Sequence, residues 1–215
     1  MAIPAIESYT IPHIDELLAN TAPWQVDPDR AVLLIHDMQE YFLSPYDRSR
    51  SPIDRMVPNI RSLRQAFDKV GAPVLYTAQP GGMSSGERGL LADFWGAGMS
   101  AEKAQQRIIV PLAPPTDESV VMKWRPSAFC RTDLLDRMRR LGRDQIVITG
   151  VYANVGILMT AHDAFSYDIE TFIVADAVAD FSRGCHLETL RYAASRCAVV
   201  LFTTDVIARL EPRHG

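Results

Sequence analysis

Cysteine, surplus charge and long apolar runs are all in short supply, and each shortage removes a class of protein. The three cysteines, Cys130, Cys185 and Cys197, are an odd number in 215 residues and show none of the paired spacings that hold zinc or a redox dithiol. Reduced thiols are the simplest account, and a small disulfide-stapled scaffold is excluded. Twenty-two basic residues against 26 acidic ones leave a net charge of −4 and a pI near 5.7, so nothing draws the chain towards nucleic acid or anionic lipid. The longest apolar runs, 31–35 and 197–202, fall well below the roughly 18 to 20 residues that span a bilayer, and no membrane helix is expected. The N-terminus has no basic region and is interrupted by Pro4, Glu7 and Pro12, so a secretory signal does not fit and the cytoplasm is the expected compartment. What remains is an ordinary globular mixture, 47% hydrophobic and 22% charged. Its length suits one domain over residues 1–215 with a sizeable core and no appended carrier module.

Six short apolar runs rich in β-branched residues lie at 31–35, 73–78, 119–122, 145–149, 171–175 and 198–203. They are continuous rather than alternating, as strands covered on both faces of a parallel sheet are. Helical patterns separate them. Met56, Val57, Ile60, Leu63, Phe67 and Val70 recur at spacings of three and four, and Gly71 with Pro73 ends the element. Thr132 fits an N-cap before Leu134, Leu135, Met138 and Leu141, and 153–167, 186–196 and 204–210 also read as helices. The alternation predicts a three-layer α/β/α sandwich around a six-stranded, mainly parallel, Rossmann-like sheet with right-handed crossovers.

Residues 79–118 break the alternation with repeated glycine and proline around the aromatic pair Phe94 and Trp95. Two readings stand: a loop that closes over a ligand, or a surface helix at 100–107 with ordinary connectors.

Ligands of open parallel sheets bind where strands end at their carboxyl side, so the residues leaving each strand carry the chemistry. The first strand exits through His36, Asp37, Met38 and Gln39. With an apolar run behind it, Asp37 suits a proton donor whose pKa desolvation raises, although a turn or helix-cap aspartate is the more ordinary use of that position. Lys123 leaves the third strand and could hold a carboxylate or fix the charge of a neighbouring aspartate, or simply face water. The segment Gly150-Val151-Tyr152-Ala153-Asn154-Val155-Gly156 runs from the fourth strand into a helix. Such a turn either aims free N–H groups at an anion or makes a plain tight connection.

Taken together these phrases carry more than any one of them. LLIHDMQ followed by Tyr41 and Phe42, then YTAQPG, RGLLADFWG, KWRPSAF, ITGVYANVG and VADAVADFS, in this order and at these separations, resemble the isochorismatase family over about residues 1–205. The opening MAIPA and the Pro23-Trp24 pair are similar to the same enzymes. The resemblance implies an α/β/α hydrolase that splits the enolpyruvyl ether of isochorismate, or of its 2-amino-2-deoxy analogue, into pyruvate and a dihydro-aromatic acid. It implies Asp37 as general acid, Lys123 as its charged companion, and Gln79 and Arg88 as substrate-binding groups. Tyr152, Val155 and the backbone of Gly156 would contact substrate, with Phe42 and Trp95 as walls. Neither metal nor other cofactor is implied. The partner is a small-molecule, isochorismate-type acid, and the state expected from relatives is a homodimer.

Two positions depart from the family phrases: Asn154 where His is usual, and Pro126 where Tyr is usual. Related amidases, nicotinamidases among them, place a nucleophilic cysteine where this chain has Gly156. An amidohydrolase of the same fold is therefore disfavoured, and a non-catalytic binding protein does not explain why Asp37 and Lys123 are both present.

Overall fold

A computed structural model of the chain describes residues 3–211; Met1 and Ala2 of the opening phrase, and residues 212–215, lie outside them. Six strands, β1 (Ala31–His36), β2 (Val74–Ala78), β3 (Val120–Met122), β4 (Gln145–Val151), β5 (Glu170–Ala179) and β6 (Val199–Leu201), form one sheet in the order β3-β2-β1-β4-β5-β6. Every pairing is parallel. The order steps outward from β1 in one direction and from β4 in the other, so β1 and β4 flank the point where the chain reverses. Their carboxyl ends diverge into the crevice where such sheets take ligands.

The helices are α1 (Glu40–Leu43), α2 (Ile53–Lys69), α3 (Ser85–Arg88), α4 (Leu91–Trp95), α5 (Lys103–Gln106), α6 (Leu134–Arg140), α7 (Leu158–Ser166), α8 (Arg183–Arg196) and α9 (Thr203–Leu210). Leu33, Ile35, Val147 and Phe172 meet Met56, Ile60, Leu63 and Phe67 of α2 on one side of the sheet. Val32, Leu34, Ile146 and Ile173 meet Leu134, Met138, Ala161, Leu190 and Ala193 on the other. Alternate residues of β1 thus serve different layers while all six are buried. That double covering is why the strands read as unbroken apolar runs.

Three details differ from the sequence reading. β5 continues to Ala179, beyond Val174-Ala175 where the apolar run ends, because the interrupting Asp176 has a task of its own. Its Oδ1 accepts from Thr203 N and Oγ1, each at 2.8 Å, at the start of α9. The cap of α6 is Asp133 rather than Thr132; Thr132 Oγ1 accepts from Leu134 N at 3.2 Å, one residue further from the helix. The helix expected over 153–167 begins with a wide π-type turn, Ala153–Ile157, before α7. The excursion after β2 holds α3, α4 and α5, with a short helix at 103–106 where 100–107 was one of the two readings.

Candidate active site

At the end of β1 the backbone turns sharply: Asp37 has φ of 50°, a left-handed conformation that aspartate tolerates better than most residues. Thr77, one residue from the end of β2, holds that turn. Its Oγ1 accepts from Asp37 N at 3.0 Å and donates to Asp37 Oδ1 at 2.6 Å. The second oxygen, Oδ2, faces Lys123 Nζ at 2.7 Å and Gln79 Nε2 at 3.3 Å. Lys123 is wholly buried and gives its remaining protons to the carbonyls of Arg125 (3.2 Å) and Pro126 (3.0 Å). All three ammonium protons have acceptors within the protein, so none is left over for a substrate carboxylate.

Two opposing influences on the Asp37 pKa, burial and a neighbouring lysine, meet here. Burial does push it up, but the Lys123 charge beside it, with the hydrogen bonds of Lys123 and Thr77, outweighs burial and holds the carboxyl below its ordinary value. Beside Lys123, Asp37 is an anion at neutral pH. His36 itself is pushed down to about 4, chiefly by burial, so its ring is neutral.

Asp37, Lys123, Gln79, Arg88, Phe42, Trp95, Tyr152, Val155 and Gly156, the residues singled out from sequence, all border one cavity of about 580 Å³, counted with its mouth. Gln79 is steered from behind: Gln39, buried, accepts from Gln79 N at 2.8 Å and donates to its carbonyl at 2.9 Å and to that of Gln106 at 2.7 Å. Arg88 is 6% exposed and is held by the carbonyls of Gly96 (3.0 Å) and Trp95 (3.4 Å). This leaves guanidinium N–H groups for a carboxylate. A Cβ on Gly98 would stand 2.7 Å from the Arg88 Cζ, so that glycine makes room for the cation. Tyr152 donates to the carbonyl of Phe42 at 2.6 Å, which locks a ring that stacks on Phe181 at 4.2 Å; Phe181 stacks in turn on Trp95 at 5.6 Å.

The aromatic pair of the excursion divides. Trp95 lines the cavity while Phe94 is 81% exposed, since neighbours on a helical turn point different ways. Tyr41, Met99 and Phe181 also border the cavity and went unassigned in the sequence, as did Thr77. Thr77 and Phe181 lie inside the phrases YTAQPG and VADFS; Met99 carried no signal. Of the two departures, Pro126 borders the cavity, whereas Asn154 does not and instead gives its backbone N–H to Asp180 at 2.8 Å.

Gly156 has a steric reason. A Cβ there would collide with the His36 ring and stand 3.1 Å from the Pro126 carbonyl. The imidazole, fixed by its Nδ1 hydrogen bond to the Val151 carbonyl at 2.9 Å, fills the space that a side chain at 156 would need. None of the three cysteines borders the cavity. Among the described residues no group of three or more His, Cys, Asp and Glu is gathered to hold a metal ion.

Known proteins resemble this chain in sequence and in fold. The family model described as "Isochorismatase domain" matches residues 31–205. An isochorismatase of Bacillus subtilis is 48% identical over 98% of this chain and 68% of its own length. A phenazine biosynthesis protein of Pseudomonas fluorescens is 49% identical over 95% and 98%. A solved cysteine hydrolase from Pseudomonas syringae shares the fold, with a TM-score of 0.79 over 98% of both chains at 22% identity.

Proposed function

The chain belongs to the isochorismatase family and hydrolyses isochorismate-type substrates, and on that premise we propose that Asp37 performs the reaction as its general acid, with Lys123 setting the charge of that acid. The observation that carries this reading is the buried Asp37–Lys123 pair, 2.7 Å apart, on the wall of a cavity where Gly156 offers no nucleophile.

An enol ether resists nucleophiles but accepts a proton on its terminal methylene carbon. Asp37, once protonated, gives its proton to that carbon, which becomes the methyl group of pyruvate, and positive charge develops on the adjacent carbon and ether oxygen. Water adds to this oxocarbenium ion and returns a proton to Asp37. The resulting hemiketal breaks its bond to the ring oxygen, which leaves as an alcohol with the hydroxyl proton. One water is consumed, and the carboxyl ends as it began.

The proton on Asp37 follows from charge balance. Arg88 and Lys123 are the cations that line the pocket and Asp37 its anion. A substrate with two carboxylates turns the net charge from positive to negative in a confined space, and taking up one proton restores neutrality. Arg88 receives one carboxylate; the expected row of free N–H groups in the turn at Gly156 is not formed, because those of Asn154, Val155 and Ile157 go to Asp180 and to the Tyr152 carbonyl. Phe42, Trp95 and Tyr152 enclose the ring.

Isochorismate and 2-amino-2-deoxyisochorismate present the same enolpyruvyl group, so pyruvate release from the two, measured side by side, tests the reading. Release from at least one at enzymatic rates is expected, and release from neither contradicts it. The proposal extends to one domain over residues 1–215, acting as a homodimer in the cytoplasm without cofactor.

A further inference from the structure

Behind the pocket lies a carboxylate that the reaction above does not use. Asp180, just past β5, has no solvent exposure and does not border the cavity. No lysine or arginine pairs with it among the described residues; the nearby Arg183 is taken by Glu16 at 2.6 Å. Instead its Oδ2 accepts from Asn154 N and its Oδ1 from Phe181 N, each at 2.8 Å. Both N–H groups belong to segments whose other residues or side chains wall the pocket. Asn154 sits in the turn that presents Val155 and Gly156, and Phe181 carries the ring stacked between Tyr152 and Trp95. The Asp180 backbone is pinned from the far side, its N–H donating to Tyr9 Oη at 2.8 Å and its carbonyl accepting from Tyr46 Oη at 3.0 Å.

A buried carboxylate without a counter-ion costs stability, and such costs persist where a function requires them. The requirement here is a matter of counting acceptors. Two N–H groups converge on one side chain, and an ionised carboxylate accepts strongly at both ends; an amide has a donor at one of them, and a protonated acid accepts only weakly at its hydroxyl oxygen.

We infer that Asp180 is a positioning residue for the enol-ether hydrolysis, its carboxylate clamping the Gly156 turn and the Phe181 ring into the shape that receives substrate. This rests on the assignment of the reaction to this pocket. Burial brings the Asp180 pKa up to about 7. The groups facing it are the hydroxyls of Tyr9, Tyr46 and Tyr152 and, on α8, Arg183, Cys185 and His186. Burial raises the three tyrosines and holds His186 neutral down to about 4. In a Cys185→Ser background, Asp180 is then the group of this cluster that changes charge near neutrality. As pH falls through its pKa, the charge-assisted bonds to both N–H groups weaken, the clamp loosens and substrate binding weakens.

The test compares that background with Asp180→Asn and Asp180→Glu made in it, recording kcat and KM for isochorismate from about pH 5.5 to 9, tryptophan fluorescence over the same range, and thermal melts. Asp180→Asn is expected to raise KM at least about tenfold near pH 8, with a smaller change in kcat, and to abolish the acid-side rise of KM that the parent shows. Asp180→Glu, still a carboxylate, keeps that rise. An Asn variant with the parent's KM and pH profile overturns the inference, even if its melting temperature falls, because that is what a purely structural residue would do. Should the Asn variant not fold, a parent whose KM and fluorescence show no transition near neutrality overturns it as well. A parent that releases no pyruvate defeats the assignment of the reaction instead, and the fluorescence transition, lost in Asp180→Asn, still decides the clamp.

Discussion

Lys123 keeps its ammonium fully buried by spending every proton on a named acceptor, the Asp37 carboxylate and two carbonyls. Its removal therefore acts in two ways that can be separated. Lys123→Met preserves most of the stem but leaves Asp37 as an uncompensated buried charge, and breaking such a pair costs about 3–5 kcal/mol. The pH dependence of that loss has a definite sign. Asp37 is held below its ordinary value in the fold, so the pair stabilises the protein above the normal carboxylate pKa and ceases to do so as pH falls through the lower folded value. The melting difference between wild type and Lys123→Met should thus be large at neutral pH and shrink in acid. Turnover should change in the other direction. With the cation gone the Asp37 pKa rises, and the limb on which activity falls with rising pH moves upward. Equal melting temperatures and identical pH profiles would mean that the pair does neither.

At the scale of elements, most of the architecture was legible because burial on both faces writes each strand as an apolar run. The strand ends were legible for a different reason: each polar residue there has an ordinary structural use, and only the ordered set of phrases resembling the family singled them out. What the sequence did not reveal depends on contacts across the chain. Asp176 looks like a terminator until α9 is placed against it, and Asp180 looks like a loop residue until the Asn154 and Phe181 N–H groups meet it. In the excursion 79–118, short helices interrupted by glycine carry no period to read. That Trp95 faces inward and Phe94 outward, and that Gly98 clears space for Arg88, emerges only in three dimensions. The fit of Gly156 against His36 is of the same kind and makes a prediction. Gly156→Ala should abolish most turnover, because its methyl group can be placed only by displacing the imidazole or the turn, and overpacking of a dense site typically costs about 1–3 kcal/mol. Pairing it with His36→Ala, which vacates the space, should recover part of the stability. Thermal melts and kcat of both variants check this, and a fully active Gly156→Ala would show that the turn is slacker than its packing indicates.

For the molecule as a whole, a strand order that reverses between β1 and β4 opens one crevice, and the chain uses the ends of β1, β2, β3 and β4 to bring a carboxylate, an amide, an ammonium and the Gly156 turn to it. The proposed homodimer predicts a solution mass twice the 24.0 kDa of the chain by light scattering, and a monomer mass would refute it. The central claim, however, is chemical: one carboxyl group supplies the proton that starts the cleavage. Asp37→Asn tests it most directly, since asparagine keeps the size, tolerates the left-handed backbone at this position and cannot serve as the acid. Pyruvate release by this variant should fall at least about 10²-fold in kcat while calorimetry still shows substrate binding. Near-normal turnover by Asp37→Asn would contradict the claim and move the proton to another group.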